Sequence, residues 1–504
     1  MTSPSSGFRF SAVIAAVALA APLLTAQVPP ATDVEVQLQL GDLLAADGRF
    51  ADAATAYRLA RDEAEGPARI RAGQGLVTAM LRTAAFRDAR KEAATLVADA
   101  RRHPAALAIE GDALWAAGLF DAAQASYEES LSRGGGDPRA FSGLARTLAA
   151  RGRFDESLAA AQRAAALAPA NPEPQSVLGY VYERMRRFPE AANALDTFIR
   201  LLPARERGDR GIIATQHARF LRDFDGRTPL AVSEAAAGQV HVLPFRLERD
   251  KIVLDGRIDG HRVKHLVVDT GAEMAVITQK TAAAAGIVPV VRTLSAGVGE
   301  MGLRGLPVAR LRSIEVGSLR VDNVPAILRS PALEGLPTRE ADSFSPLALG
   351  FSMTIDYGRR LLTMSRTLPS EPGGGVTLPL RMHRLAFVVG QVNRDPVPFV
   401  VDTGGEVISI SRATFRALGT VPPRHIGLRV YGASGWDPTA FLMPGLDLAF
   451  EDVQLPRHSV VVLDLDAPSA LLGFEVGGIV GHRFLSRYRV SIDLHRSEVR
   501  LGTL

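Results

Sequence analysis

Two rhythms of apolar and polar positions divide this chain. Between residues 33 and 205 the apolar positions recur at helical spacing, in a sequence rich in Ala, Leu, Arg and Glu, which predicts a series of amphipathic helices. Beyond residue 236 they fall into short, β-branched runs bounded by Gly, Asp or Pro. Val240-His241-Val242-Leu243, Leu266-Val267-Val268 and Phe399-Val400-Val401 are examples, and they predict strands. Residues 206–235 link the two parts, and Ile212 to Phe224 has the pattern of one capping helix. The stretch Pro369 to Gly375 (PSEPGGG) breaks the strand-rich part in two.

The helical part repeats. Phenylalanine recurs at Phe50, Phe86, Phe120, Phe154 and Phe188, in steps of 36, 34, 34 and 34 residues. Three positions after each stands a small residue: Ala53, Ala89, Ala123, Ser157 and Ala191. Nine positions before each stand Gly41, Val77, Gly111, Ala145 and Gly179, of which only Val77 is not small. Small residues at fixed helical positions let two helices approach closely. The period and the helix–turn–helix unit resemble the tetratricopeptide repeat, and Ala168-Pro169-Ala170-Asn171-Pro172 suits its inter-repeat turn. The resemblance implies an α-solenoid with a concave groove that binds a peptide or a protein partner. A spacer or shield for the second half is the other reading.

The strand-rich part is an internal duplication. Asp269-Thr270-Gly271-Ala272-Glu273 and Asp402-Thr403-Gly404-Gly405-Glu406 each follow a short apolar run. Eight residues past the aspartates stand Ile277 and Ile410, nine past them Thr278 and Ser411, seventeen past them Gly286 and Gly419, and thirty past them Gly299 and Gly432. Leu349-Gly350 and Val480-Gly481 follow, then Ile355-Asp356-Tyr357 and Ile492-Asp493-Leu494. From the glycine to the aspartate the first copy spans six residues and the second twelve.

A single Asp-Thr-Gly is an ordinary turn sequence. Two copies in matched surroundings point to paired carboxylates. Two such groups at contact distance cannot both ionise cheaply, so they share one proton and titrate together. The ionised member can take a proton from water while the protonated one donates to a carbonyl oxygen.

The constellation resembles the retropepsin-like aspartic peptidases, including gag-polyprotein-type bacterial members, with two lobes in one chain over roughly residues 240–504. The resemblance implies two homologous all-β lobes, residues 236–368 and 376–504 around the 369–375 linker, with Asp269 and Asp402 as the catalytic pair of an endopeptidase. It further implies that Thr270 and Thr403 brace the two loops, and that Gly271 and Gly404 turn the backbone closely. Glu273 and Glu406 would lie near the substrate backbone, or be surface charge. Gly-rich Ser295 to Gly305 and Val430 to Trp436 would form flaps with Gly299 and Gly432 at their tips, and Tyr431 and Trp436 would line the cleft or anchor the loop. Gly405 departs from the usual Ala, and Ala275 and Ile408 from the usual Ser or Thr. The alternative to an enzyme is a protein-binding scaffold whose protease-like half is inert.

Composition narrows the chemistry. A net charge of +4 across 504 residues, with arginines scattered, gives no electrostatic case for nucleic acid. With no cysteine there is no disulfide, thiolate nucleophile or Cys-based zinc site. The ten histidines show no metal-ligand spacing, so no metal and no cofactor is expected. Gly297 to Gly302 fits a dinucleotide fingerprint as text but does not open a helix in a βαβ unit. Arg9, the apolar run Ser11 to Leu24 and Thr25-Ala26 read as an export signal over residues 1–26, cleaved or retained as an anchor, which places the rest in the periplasm or outside the cell.

Overall fold

The computed structural model of the chain describes residues 33–134, 136–299, 302–329, 341–369, 374–419, 426–432 and 434–504. The segment 1–26, read as an export signal, lies outside them. No described helix is long and apolar enough to cross a membrane.

The N-terminal part is a solenoid of five helix pairs: α1 (Asp33–Ala46) and α2 (Phe50–Glu63), α3 (Gly66–Arg82) and α4 (Phe86–Asp99), α5 (Pro104–Ala116) and α6 (Phe120–Gly134), α7 (Pro138–Ala150) and α8 (Phe154–Leu167), α9 (Pro172–Arg184) and α10 (Phe188–Leu201). The capping helix α11 (Asp209–Arg222) follows. Each recurring phenylalanine opens the second helix of its pair. Two positions before it the backbone turns through the left-handed region, at Gly48, Ala84, Gly118, Gly152 and Arg186. Between pairs, His103, Asp137 and Asn171 cap the next helix through the side chain, with proline at its first position.

The position nine before each phenylalanine is set by the residue seven after it. A Cβ on Gly41 would lie 2.6 Å from the Tyr57 ring, and one on Gly111 would lie 2.4 Å from Tyr127. Where the facing residue shrinks to Ala93, the first helix carries Val77, and the two share one buried cluster. The sequence irregularity at Val77 is therefore a volume exchange within a close-packed core. The first helices of successive units pack on one another, α3 on α5, α5 on α7 and α7 on α9, and so line the inner face of the curve.

The two lobes repeat one sheet. In lobe 1 the strand order is Arg246–Glu248, Lys251–Ile258, His261–Val268, Asp342–Phe344, Ala275–Thr278, Leu319–Arg329, Leu303–Val316, Val291–Ala296. Lobe 2 has the same order in Arg381–His383, Leu385–Val392, Asp395–Val401, Gly478–Val480, Ser409–Ser411, Val453–Leu463, Phe441–Phe450, Ile426–Gly427. In each, the second strand also pairs with the seventh, which curls the sheet closed. The matched residues nine past the aspartates, Thr278 and Ser411, cap the helices Gln279–Ala285 and Arg412–Ala417. Gly286 and Gly419 end the same two helical segments in the left-handed region.

A further six-stranded sheet joins the lobes. Its order is His241–Pro244, Leu361–Ser365 and Ser352–Asp356 from lobe 1, then Arg489–Asp493, Glu498–Gly502 and Gly375–Pro379 from lobe 2. At its centre Met353 faces Ile492 and Ile355 faces Val490. One buried hydrophobic cluster runs through both lobes. The turn after the fourth strand is equivalent in the two lobes: Leu349 N–H donates to the Ser345 carbonyl as Leu485 N–H of the short helix His482–Leu485 donates to that of Gly481. Gly481 therefore corresponds to Ser345 and not to Gly350, and the shortening of the first copy read from those glycines is a register error. Phe344 to Asp356 is 12 residues and Val480 to Asp493 is 13.

The solenoid packs against the lobes along its intra-pair turns. Trp115 and Phe120 join Phe387, Val400 and Phe474 in one core. Arg87 donates to Glu475 and Thr414, Glu475 N–H to the Ala116 carbonyl, and Ser497 to the Arg151 carbonyl. Farther along, Phe188, Phe220 and Phe224 of α10, α11 and the following turn cover Val291 and Val308 of lobe 1.

Candidate active site

Each Asp-Thr-Gly loop leaves the third strand of its lobe at the molecular pseudo-dyad. Asp269 N–H donates to the Phe344 carbonyl and Asp402 N–H to that of Val480, so the two loops hang from equivalent strands. The threonines are buried and crossed. Thr270 Oγ1–H donates to the Val401 carbonyl at 2.6 Å, and Thr403 Oγ1–H to the Val268 carbonyl at 2.8 Å. Each threonine oxygen accepts the other's N–H, at 3.1 and 3.0 Å. Both N–H groups and both hydroxyls of this brace are partnered away from water, where a hydrogen bond is expensive to lose.

The glycines set the spacing of the carboxyls. Gly271 N–H donates to Asp269 Oδ1 and Gly404 N–H to Asp402 Oδ1. A Cβ on Gly271 would lie 2.5 Å from Asp402 Oδ1, and one on Gly404 would lie 2.4 Å from Asp269 Oδ1. No side chain fits at either position. Gly405 is also accounted for, since a Cβ there would press to 3.0 Å on Asp402 Oδ2. Asp269 and Asp402, both half-buried, thus share one site in hydrogen-bond contact. Burial first, then the Asp402 charge and the hydrogen bond to it, push Asp269 up to about 7, against a smaller opposing pull from Arg329 and Lys251. The Lys251 ammonium reaches across from lobe 1 to the Gly404 carbonyl.

Both glutamates at the ends of the loops are ion-paired. Glu273 accepts from Arg384 Nε and Nη2 at 2.8 and 2.7 Å, a contact between lobes. Glu406 accepts from Arg483 Nη2 at 2.6 Å within its own lobe. Sequence reading missed both arginines, because neither spacing nor periodicity marks a partner 111 or 77 residues away.

Two hairpins, one from each lobe, meet at their tips. The lobe 1 flap turns between Val291–Ala296 and Leu303–Val316, and the lobe 2 flap is the ribbon Val430–Gly432 with Gly435–Asp437. Ser434 N–H donates to the Val298 carbonyl at 2.9 Å, and its hydroxyl to the Gly302 carbonyl at 3.0 Å. A Cβ on Gly299 would lie 2.3 Å from the Ser434 backbone, and one on Gly432 would lie 2.3 Å from the Val298 carbonyl oxygen. The tips therefore interlock through bare backbone. Tyr431 and Trp436 face each other across the second ribbon, ring centres 5.3 Å apart, both with an exposed side. Among the described residues no cluster could hold a metal ion.

A crossed pair of Asp-Thr-Gly loops and two interlocked hairpins, in twin β-lobes behind a helical solenoid, define a two-lobed retropepsin-like aspartic-peptidase fold joined to tetratricopeptide repeats. Sequence comparison agrees segment by segment. Residues 254–336 match the family described as "gag-polyprotein putative aspartyl protease", residues 388–476 the family described as aspartyl protease, and residues 110–172 the tetratricopeptide repeat. No curated protein matches the chain. Among solved structures, a thermophilic tetratricopeptide-repeat protein of Thermus thermophilus is 22% identical over 36% of this chain and 98% of its own, with a TM-score of 0.32. The MamA protein is 16% identical over 35% and 96%, at 0.24. YrrB, a repeat protein with an unusual peptide-binding site, is 16% identical over 36% and 90%, at 0.24.

Proposed function

We propose that this protein is an aspartic endopeptidase that hydrolyses peptide bonds between Asp269 and Asp402. The observation that carries the reading is the half-buried carboxyl pair, braced by crossed, buried threonines and approached so closely by Gly271 and Gly404 that nothing else fits. With one proton shared, the ionised carboxylate takes a proton from a water molecule as its oxygen attacks the scissile carbonyl carbon. The protonated carboxyl donates to the carbonyl oxygen, giving a neutral tetrahedral diol. Its collapse breaks the C–N bond as one carboxyl gives its proton to the leaving nitrogen and the other carboxylate takes a proton from a diol hydroxyl, which restores the pair to its starting state. The flaps would part to admit an extended chain and close to exclude water.

The export reading of residues 1–26 places this work outside the cytoplasm, and a cysteine-free chain suits an oxidising compartment.

Asp269→Asn and Asp402→Asn, each assayed on denatured protein at mildly acid pH, are expected to lose at least about 10³-fold in kcat/KM, because neither carboxyl works alone. Either variant retaining full activity defeats the shared-proton mechanism. A wild type that binds peptides and cleaves none points to the inert scaffold.

A further inference from the structure

The first hairpin of lobe 2 is Arg381–His383 paired with Leu385–Val392. Arg381–His383 is an edge strand, and the solenoid helix α7 lies against it. At one end the buried Arg381 makes a two-point contact with Asp121 of α6, 2.6 Å on each arm. At the other, His383 sits between Trp115 of α5, edge-on at 5.0 Å, and Tyr180 of α9, whose hydroxyl is 3.0 Å from Nδ1. Burial, with Arg384, Arg146 and Arg184 nearby, holds this imidazole well below its ordinary range, so it is a neutral hydrogen-bonding group. Trp115 and Tyr180 belong to the first helices of their pairs, which line the inner face. Over α5 to α9 the chain's own hairpin therefore packs on these helices near their turn ends.

The next residue carries this contact to the cleft. Arg384 turns through the left-handed region and puts two N–H groups on Oε2 of Glu273, four residues beyond Asp269. The equivalent glutamate at the other end, Glu406, pairs with Arg483 of the helix His482–Leu485, whose guanidinium also lies 3.8 Å from Asp250 of lobe 1. This Glu406–Arg483 pair is the more open one. Its side chains are 57% and 61% exposed, against 24% and 35% for Glu273 and Arg384. Two copies of one lobe would give a symmetric cleft; here the arginines come from non-equivalent places, Arg384 from the first hairpin of lobe 2 and Arg483 from the helix His482–Leu485, and the first is backed by the solenoid through His383.

We propose that the solenoid is a wall of the substrate cleft: Trp115 and Tyr180 hold His383, and so keep Arg384 on Glu273 and fix the subsites at the lobe 1 end. Tyr180 and His383 are positioning residues in this scheme, and the lobe 2 end stands independently on Arg483. The inference rests on the peptidase reading above and adds which part of the substrate the repeat array controls.

The test uses the full chain and a peptide library varied on both sides of the cleaved bond. Tyr180→Phe and His383→Ala are expected to relax selection on one side only and to raise KM about five- to ten-fold, the scale of one lost hydrogen bond. Their kcat should stay within about two-fold, as neither group touches the reacting atoms. Arg483→Ala should relax the opposite side. His383→Asn, which keeps an acceptor for the Tyr180 hydroxyl, should recover part of the one-sided selection. A general loss of folding would instead weaken both sides together. If wild type cleaves and both Tyr180→Phe and His383→Ala keep its profile, or lose both sides equally, this proposal fails alone. A wild type that cleaves nothing overturns the peptidase reading and this proposal with it.

Discussion

At the scale of single residues, one proton decides what this site can do. Asp269, pushed up to about 7 mainly by burial and then by the Asp402 charge, keeps its proton through mildly acid pH. Above that value the pair must hold two charges side by side, and the acid needed by the carbonyl oxygen is gone. We expect kcat/KM to fall about ten-fold per pH unit once pH exceeds roughly 7, with the slope of one proton. Stability follows the same proton. A carboxyl raised from 3.8 in the folded state binds a proton that the unfolded chain has released, so its contribution is complete below pH ~4 and is lost as pH rises through about 7. Asp269→Asn removes that dependence. Calorimetry between pH 4 and 8 should show the wild-type Tm falling by a few degrees more than that of the variant. Parallel curves would mean that Asp269 ionises freely in the fold.

At the scale of elements, local chemistry was legible in the sequence and remote pairing was not. Thr278, Ser411, Gly286 and Gly419 stand at matched positions because each caps or ends the helix after its aspartate loop, a job set by neighbours a few residues away. The solenoid period was legible for the same reason. Even Val77 yields to a rule of fixed spacing once its partner Ala93 is seen. The six-stranded sheet and the Arg384–Glu273 pair depend on which strands meet across lobes, and no period records that. Trp115, Phe120, Phe387 and Phe474 read as ordinary core in sequence, since burial against another domain needs the same residues as burial within one.

The flaps show how far local signals reach. Gly299 and Gly432 were marked by register, while Ser434, which clasps the opposite tip, was not. Gly299→Ala should part the tips, because its Cβ meets backbone and not a movable side chain, and its φ of 137° suits glycine alone. The expected results are a KM raised about ten-fold and loss of exchange protection at the Ser434 amide, with Tm nearly unchanged. A protected Ser434 amide in that variant would rule out the interlock.

At the scale of the whole molecule, the solenoid and the lobes should behave as one folding unit. Repeat arrays are held by nearest-neighbour interfaces and often tolerate shortening. Here the turns of α3–α4, α5–α6, α7–α8 and α9–α10 all contact the lobes, so the array's neighbours include the β-domain. Separating the parts at residue 236 would bare Phe387, Val400 and Phe474 as one apolar patch. It would also leave Arg381, 7% exposed, and Glu475, 4% exposed, without Asp121 and Arg87. A buried charge that loses its partner costs about 3–5 kcal/mol, and two such losses approach the whole stability of an ordinary domain. We therefore expect residues 236–504 alone to be insoluble or unfolded, and the full chain to give one calorimetric transition in which helix and sheet signals melt together. A soluble, well-folded fragment 236–504, or two separate transitions in the intact chain, would show that the lobes do not need the solenoid to stand.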